Sequence, residues 1–248
     1  MRDYIEVVIL LDRSGSMHAQ RADHEGGLRS FVRDQRRLAG DVRLTFVRFD
    51  DRDPFEVVYD GAKLEDVDEA RLELIPRGRT PLLDAVGRTL EHVHGRLFGV
   101  WRKPDQVVVM VITDGEENQS RTYTKARVQQ LVKAREMAGW KILYLGANVD
   151  EFAEAGGMGI GAATTLGYSP SAMGIQATYS ALSSNMLKAR SLTQTGATLA
   201  AVNAAYDFTP EQRTMAKAGS VAPETTTGGT GGRETATSTT NTTNASQP

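Results

Sequence analysis

The stretch Val7-Val8-Ile9-Leu10-Leu11-Asp12-Arg13-Ser14-Gly15-Ser16-Met17 ends an unbroken apolar run in one carboxylate and two hydroxyls spaced two residues apart. Such a run fits a strand buried on both faces of a parallel sheet. In sheets of that kind the residues just beyond the carboxyl ends of the strands face the ligand crevice, so Asp12, Ser14 and Ser16 are expected there. Oxygen ligands of low total charge suit a hard cation such as magnesium, which takes an octahedral shell at about 2.0–2.1 Å and keeps some water. Two serines and one aspartate cannot complete that shell, so the chain must bring further oxygen from elsewhere.

Two later segments offer it. Thr80 lies in Arg77-Gly78-Arg79-Thr80-Pro81-Leu82-Leu83-Asp84-Ala85, where the hydroxyl precedes a helix and Pro81 stands where a first turn tolerates it. Asp114 closes a second apolar run, Val107-Val108-Val109-Met110-Val111-Ile112-Thr113-Asp114-Gly115. Two parallel strands bring Asp12 and Asp114 to one edge.

These residues together resemble the metal-ion-dependent adhesion site of von Willebrand factor type A domains, which integrin inserted domains share. All five motif positions match, and the resemblance spans roughly residues 3–167. It implies that Ser14 and Ser16 bind the metal directly, Thr80 directly or through water, and Asp12 and Asp114 mostly through water. It also implies magnesium as the ion, with manganese or calcium as substitutes, and a Glu or Asp of a partner protein as the remaining ligand. Cytoplasmic bacterial members of that family are often single-domain adaptors in stress-response, tellurite-resistance or ATPase-linked metal-insertion systems.

The pattern of elements predicts an α/β fold with a doubly wound, mostly parallel sheet and one antiparallel edge strand. Strand 1 is expected near 5–12, followed by a helix near 21–39 whose Leu28, Phe31, Val32, Gln35, Leu38 and Ala39 recur at helical spacing. Gly26-Gly27 inside it should cost about 1 kcal/mol each against alanine, so close packing or a loosened first turn is expected there. Val42–Asp50 and Phe55–Tyr59 flank the polar turn Asp51-Arg52-Asp53-Pro54 and read as a hairpin, the source of the antiparallel edge. The helix after Thr80 carries Leu83, Val86, Leu90, Val93 and Leu97 on one face. A helix near 123–138 stops at Gly139, a fifth strand runs from Trp140 to Leu145, a short helix starts about Asp150, and Gly159–Leu166 is expected as a sixth strand.

Beyond this region Ser169-Pro170 reads as a helix start. Ile175, Tyr179, Leu182, Met186 and Ala189 then form an apolar stripe that either packs back on the domain or meets a partner. Thr209-Pro210-Glu211-Gln212 opens a short last helix. From Gly219 to Pro248 threonine, glycine, serine and asparagine dominate, a composition expected to stay disordered. The chain of 248 residues is therefore divided into a type A domain at 1–167, a helical extension at 168–218 and a low-complexity tail at 219–248.

Composition narrows the function. With 29 basic against 31 acidic residues there is no overall field for nucleic acid or an anionic membrane, and neither is expected as a partner. Zero cysteine removes disulfides, thiolate metal sites and cysteine catalysis. No signal sequence is expected before strand 1, and no apolar stretch approaches the roughly 18 residues that span a bilayer, so cytoplasmic residence is expected. The glycosylation patterns at Asn241 and Asn244 are then idle.

An enzyme is not expected. An aspartyl-phosphate phosphatase would want an Asp where Ser14 stands, no Gly-x-x-x-x-Gly-Lys loop cradles phosphate, and His18, His24, His92 and His94 supply no Ser-His-Asp constellation. The function expected is metal-dependent protein recognition. The alternatives are a self-associating structural protein, in which the C-terminal helix carries the contacts, and a magnesium-dependent hydrolase. Arg77, Arg79, Glu116, Glu117 and Asn118 flank the motif and are placed to select an acidic partner.

Overall fold

The computed structural model describes residues 4–147 and 150–219. A six-stranded sheet runs in the order β3-β2-β1-β4-β5-β6. The strands are β1 (Tyr4–Asp12), β2 (Asp41–Phe49), β3 (Glu56–Lys63), β4 (Gln106–Thr113), β5 (Lys141–Gly146) and β6 (Thr165–Gly167). All pairings are parallel except β2 with β3, the expected antiparallel edge.

All nine residues of β1 are buried, because β2 and β4 flank it and helices cover both faces. Alternate residues feed two cores. Ile5, Val7, Ile9 and Leu11 pack with α1 (Arg21–Arg36) and α5 (Ala172–Gln194). Val8 and Leu10 pack with α2 (Leu82–Leu97), α3 (Lys125–Met137) and α4 (Glu151–Gly157). The one charge inside β1, Glu6, is fully buried and satisfied by Arg96 Nη2 at 2.5 Å and Thr45 Oγ1 at 2.8 Å.

Several expectations need adjusting. Helix α1 ends at Arg36, so Leu38 and Ala39 fall beyond it, half-buried and exposed. The sixth strand covers only Thr165–Gly167, since Gly159 takes a positive φ of 84° and residues Ala162–Thr164 form a 3-10 turn instead of pairing. The cap of α5 is Ser171, whose Oγ accepts the Gly174 N–H at 3.1 Å. Ser169 is held elsewhere, donating its N–H to Ala216 O at 2.8 Å.

The α5 stripe is buried throughout, from Ile175 to Ala189, and it meets α1. Gly27 explains the close approach, because a Cβ there would lie 2.1 Å from Cδ2 of Tyr179, whereas Gly26 faces open space. Helices α6 (Leu199–Ala204) and α7 (Pro210–Lys217) follow, the latter opened by a capping box between Thr209 and Gln212. The segment expected to be disordered, apart from Gly219, lies outside the described residues.

Candidate metal centre

Parallel pairing of β1 with β4 sets Leu11 opposite Ile112, so both strands release their polar residues at the same edge. Thr113 Oγ1 donates to Asp12 Oδ2 at 2.6 Å, and the Ser14 N–H donates to Asp12 Oδ1 at 2.7 Å. The hydroxyls of Ser14 and Ser16 are 3.0 Å apart, and Ser16 Oγ donates to Asp114 Oδ1 at 2.6 Å. Four of the five motif residues thus form one continuous hydrogen-bonded arc.

Thr80 joins from the opposite side. A Cβ on Gly115 would lie 3.1 Å from Thr80 Oγ1 and 3.9 Å from Ser16 Oγ, so both hydroxyls face the space that this glycine leaves open. The Thr80 backbone is clamped by Asn118, whose Oδ1 accepts the Thr80 N–H at 3.0 Å and whose own N–H donates to Thr80 O at 3.1 Å. Asp12, Ser14, Thr80 and Asp114 are buried, while Ser16 is exposed and marks the mouth.

Neighbouring loops hold this arrangement rigid. Gly15 N–H donates to Gly78 O at 3.1 Å and Arg77 N–H to Arg13 O at 2.7 Å, tying the end of β1 to the Thr80 loop. Gly78 needs its positive φ of 70°, and a Cβ there would collide with Asp51 Oδ1 at 2.0 Å. The buried Arg13 guanidinium pairs with Asp50 and Glu56, and Arg77 Nε adds a bond to Asp50 at 2.8 Å. Burial raises the Asp50 carboxyl, but the Arg77 bond, the Asp53 and Arg52 N–H groups and the Arg13 charge outweigh it and hold it below the usual range.

The flanking charges divide accordingly. Arg77 is committed to Asp50, and Glu117 accepts the N–H groups of Leu83, Gln119 and Ser120 as a loop brace. Asn118 is the Thr80 clamp. Arg79 and Glu116 are the charged members of that group that are exposed.

The two aspartates differ from Asp50 in having no cation. Burial pushes the Asp12 carboxyl up to about 7, the hydrogen bonds from Thr113 and Ser14 pull it partly back, and the Asp114 charge raises it again. Asp114 is also raised by burial, against bonds from Ser16 and Gln20. Hydroxyls, an amide and backbone N–H groups serve these carboxylates, and no positive side chain offsets their burial. A divalent cation would provide that compensation, and the donor set of two carboxylates and three hydroxyls is the hard-oxygen type that magnesium, manganese or calcium accepts. Among the described residues no cluster of three or more His, Cys, Asp or Glu offers a competing metal site.

Residues outside the motif extend the centre. Gln20 Nε2 donates to Asp114 Oδ2 at 2.8 Å, and the His24 ring lies within hydrogen-bonding distance of Gln20 Oε1 at 3.4 Å and of the Tyr179 hydroxyl at 3.1 Å. Tyr168 OH contacts His24 Nε2 at 3.3 Å and donates to Thr113 O at 3.2 Å. These groups were not singled out from sequence, although a signal existed. Gln20 and His24 continue the Leu28, Phe31 and Gln35 stripe backward at helical spacing, which places polar side chains on an inward face. His18, by contrast, is exposed on the 3-10 turn Gly15–Gln20.

Strand order, the antiparallel edge and the two helical layers are those of the Rossmann-like fold of von Willebrand factor type A domains. No protein-family model and no curated protein matches the chain. Among solved structures it is similar to proximal thread matrix protein 1 from the mussel byssus, at 14% identity and a TM-score of 0.58, over 74% of this chain and 48% of that one. A second crystal structure of the same mussel protein gives 13% identity and 0.56, over 73% and 46%. The PilB minor pilin of Streptococcus sanguinis gives 12% and 0.52, over 74% and 61%. The chain thus spans about half to three fifths of the length of these proteins, and at such identities the similarity is one of fold.

Proposed function

We propose that this chain is a non-enzymatic, cytoplasmic adaptor that recognises a partner protein through a magnesium ion held by Asp12, Ser14, Ser16, Thr80 and Asp114. Ser14 and Ser16 would hold the ion directly, Thr80 directly or through water, and Asp12 and Asp114 mostly through water. When bound, the ion supplies a Lewis-acidic position open to a Glu or Asp carboxylate of the partner. The observation that carries this reading is the pair of buried carboxylates, Asp12 and Asp114, joined through serine hydroxyls at an open mouth and left without a cation.

The protein groups orient the ring rather than perform chemistry. Thr113 and Gln20 each donate a hydrogen bond that fixes one carboxylate oxygen, of Asp12 and of Asp114 respectively. Asn118 fixes the Thr80 backbone, and Gly115 keeps the space between Thr80 and Ser16 clear. Exposed Arg79 beside the mouth favours an acidic segment.

The test is calorimetric titration of magnesium into the intact chain and the Asp12→Ala variant, followed by magnesium-dependent capture of a partner by each. Binding of magnesium and partner by the intact chain alone is expected. Partner capture that survives both Asp12→Ala and a chelator would overturn the reading, and a metal-independent oligomer in sedimentation would favour a self-associating structural role.

A further inference from the structure

The loop between α2 and β4 lies at the opposite end of β4 from Asp114. It exposes Phe98 (78%), Val100 and the whole of Trp101, and Met137 at the end of α3 is also largely exposed. At the base of the tip the His94 ring lies 5.9 Å from that of Phe98 and 6.5 Å from that of Trp140, and Arg135 lies over the Trp140 ring at 5.5 Å. Gly99, with a φ of 76°, turns the chain so that Phe98 and Trp101 project outward and do not fold back on the body.

Cations outnumber acids around this tip, with Arg43, Arg102, Lys103 and Arg135 against Asp41, Asp105 and Glu136. From Leu97 to Pro104 the sequence carries Arg102 and Lys103 and no carboxylate, while Arg96 just before them is spent on Glu6 and Asp60. Arg102 is held by Asp41 at 3.1 Å and stacks on Tyr4, yet its side chain remains more than half exposed, and Lys103 is exposed beside it. Two of these acids are engaged: Asp41 also pairs with Arg43, and Asp105 accepts the Tyr4 N–H at 3.1 Å.

We infer that the Phe98–Lys103 tip is a docking surface for an anionic lipid bilayer, inserting Trp101 and Phe98 at the interface with Arg102 and Lys103 on the headgroups. The balanced charge of the whole chain argues against a general attraction to membranes, but a local cationic, aromatic tip acts within its own Debye length. A bilayer fits better than a protein pocket because the apolar groups protrude singly from a loop and do not line a groove. Tryptophan beside Lys and Arg is also the composition that the headgroup region accepts. Among the described residues no helix is long and apolar enough to cross a membrane, so the contact is peripheral. Docked in this way, the chain turns its metal centre away from the bilayer, toward a partner.

The experiment is sedimentation of the full chain with vesicles of phosphatidylcholine alone or with phosphatidylserine, joined to quenching of tryptophan fluorescence by brominated lipid. Salt-sensitive association that requires phosphatidylserine is expected, with quenching. Trp101→Ser should lose the quenching while Trp140 still fluoresces, and both Trp101→Ser and Lys103→Glu should weaken association by roughly tenfold. A chelator should change none of this, which separates the inference from the metal reading. Absence of association, or association by both variants as strong as the parent's, would overturn it. Self-association that Trp101→Ser abolishes, without vesicle binding, would equally overturn it and assign the tip to a second copy of the chain.

Discussion

The two ends of the β1–β4 strand pair invert ordinary burial in opposite senses. At the carboxyl end, polar groups are buried: Asp12, Ser14, Thr80 and Asp114 lie out of solvent with no cation. At the amino end, apolar groups are exposed: Trp101 entirely, Phe98 and Met137 mostly. Each inversion costs stability in the isolated chain, one through desolvation of carboxylates and the other through burial left unmade. On the two readings proposed above the completing additions differ: a divalent cation at one end, an apolar and anionic phase at the other.

The sharpest way to break that contrast is to remove one end chemically and watch the other. Asp114→Ala should abolish magnesium uptake measured by calorimetry, since it removes one of two buried carboxylates and releases both Ser16 and Gln20. Even a residue that only positions a metal ligand typically changes affinity about 10- to 100-fold, so a smaller effect here would sink the assignment. Vesicle association through the Trp101 tip should be unchanged in the same variant.

The ease with which each end can be read from sequence also differs. The candidate metal centre is legible because its aspartates follow two apolar runs that read as central strands, and parallel pairing then brings Asp12 and Asp114 together. Thr80 is legible from the proline-led helix that follows it. The supports are less so: Thr113 and Asn118 look like ordinary strand-end and loop residues until long-range pairing gives them Asp12 and Thr80 as partners. The α5 cap is misplaced for the same reason, since the Ser169 N–H is claimed by Ala216 on a helix over forty residues away, whereas the sixth strand is shortened by the local turn at Ala162–Thr164. The tip is hidden in sequence because Phe98, Val100 and Trp101 look like core until exposure is known.

The acid limb of stability sharpens the comparison from the metal side. Burial holds the His24 imidazole at about 3 against an ordinary 6.5, so the folded state keeps the ring neutral. A base with a depressed folded pKa contributes stability that is full above the unfolded value and is lost as pH falls through 6.5 toward about 3. The loss should reach on the order of 4 kcal/mol, followed by urea titration across that range. A His24 ring that titrates near 6.5 by NMR would mean that Gln20, Tyr168 and Tyr179 do not enclose it.

The glycine pair in α1 tests whether the wall behind the metal centre depends on close helix packing. Gly27→Ala drives a methyl into the Tyr179 ring and should cost about 1–3 kcal/mol, because α5 must move away from α1. It should also loosen His24 and, through Gln20, weaken magnesium binding. Gly26→Ala meets open space and should stabilise by about 0.5–1 kcal/mol. Equal effects at both positions would show that the α1–α5 seam is not fixed by Tyr179.

The smallest expected effect is the most direct check on the exposed end. Trp101 makes no packing that its removal could forfeit, so Trp101→Ser should leave the unfolding free energy within about 0.5 kcal/mol of the parent. Trp140, just before β5 and almost wholly buried, provides the control, since truncating it should cost about 3–5 kcal/mol. If Trp101→Ser destabilises the chain as much as the Trp140 change does, the tip folds onto the body in solution. The two ends of the sheet would then no longer be opposites, because the aromatic pole would be core and the buried carboxylates would stand as the chain's one incomplete surface among the described residues.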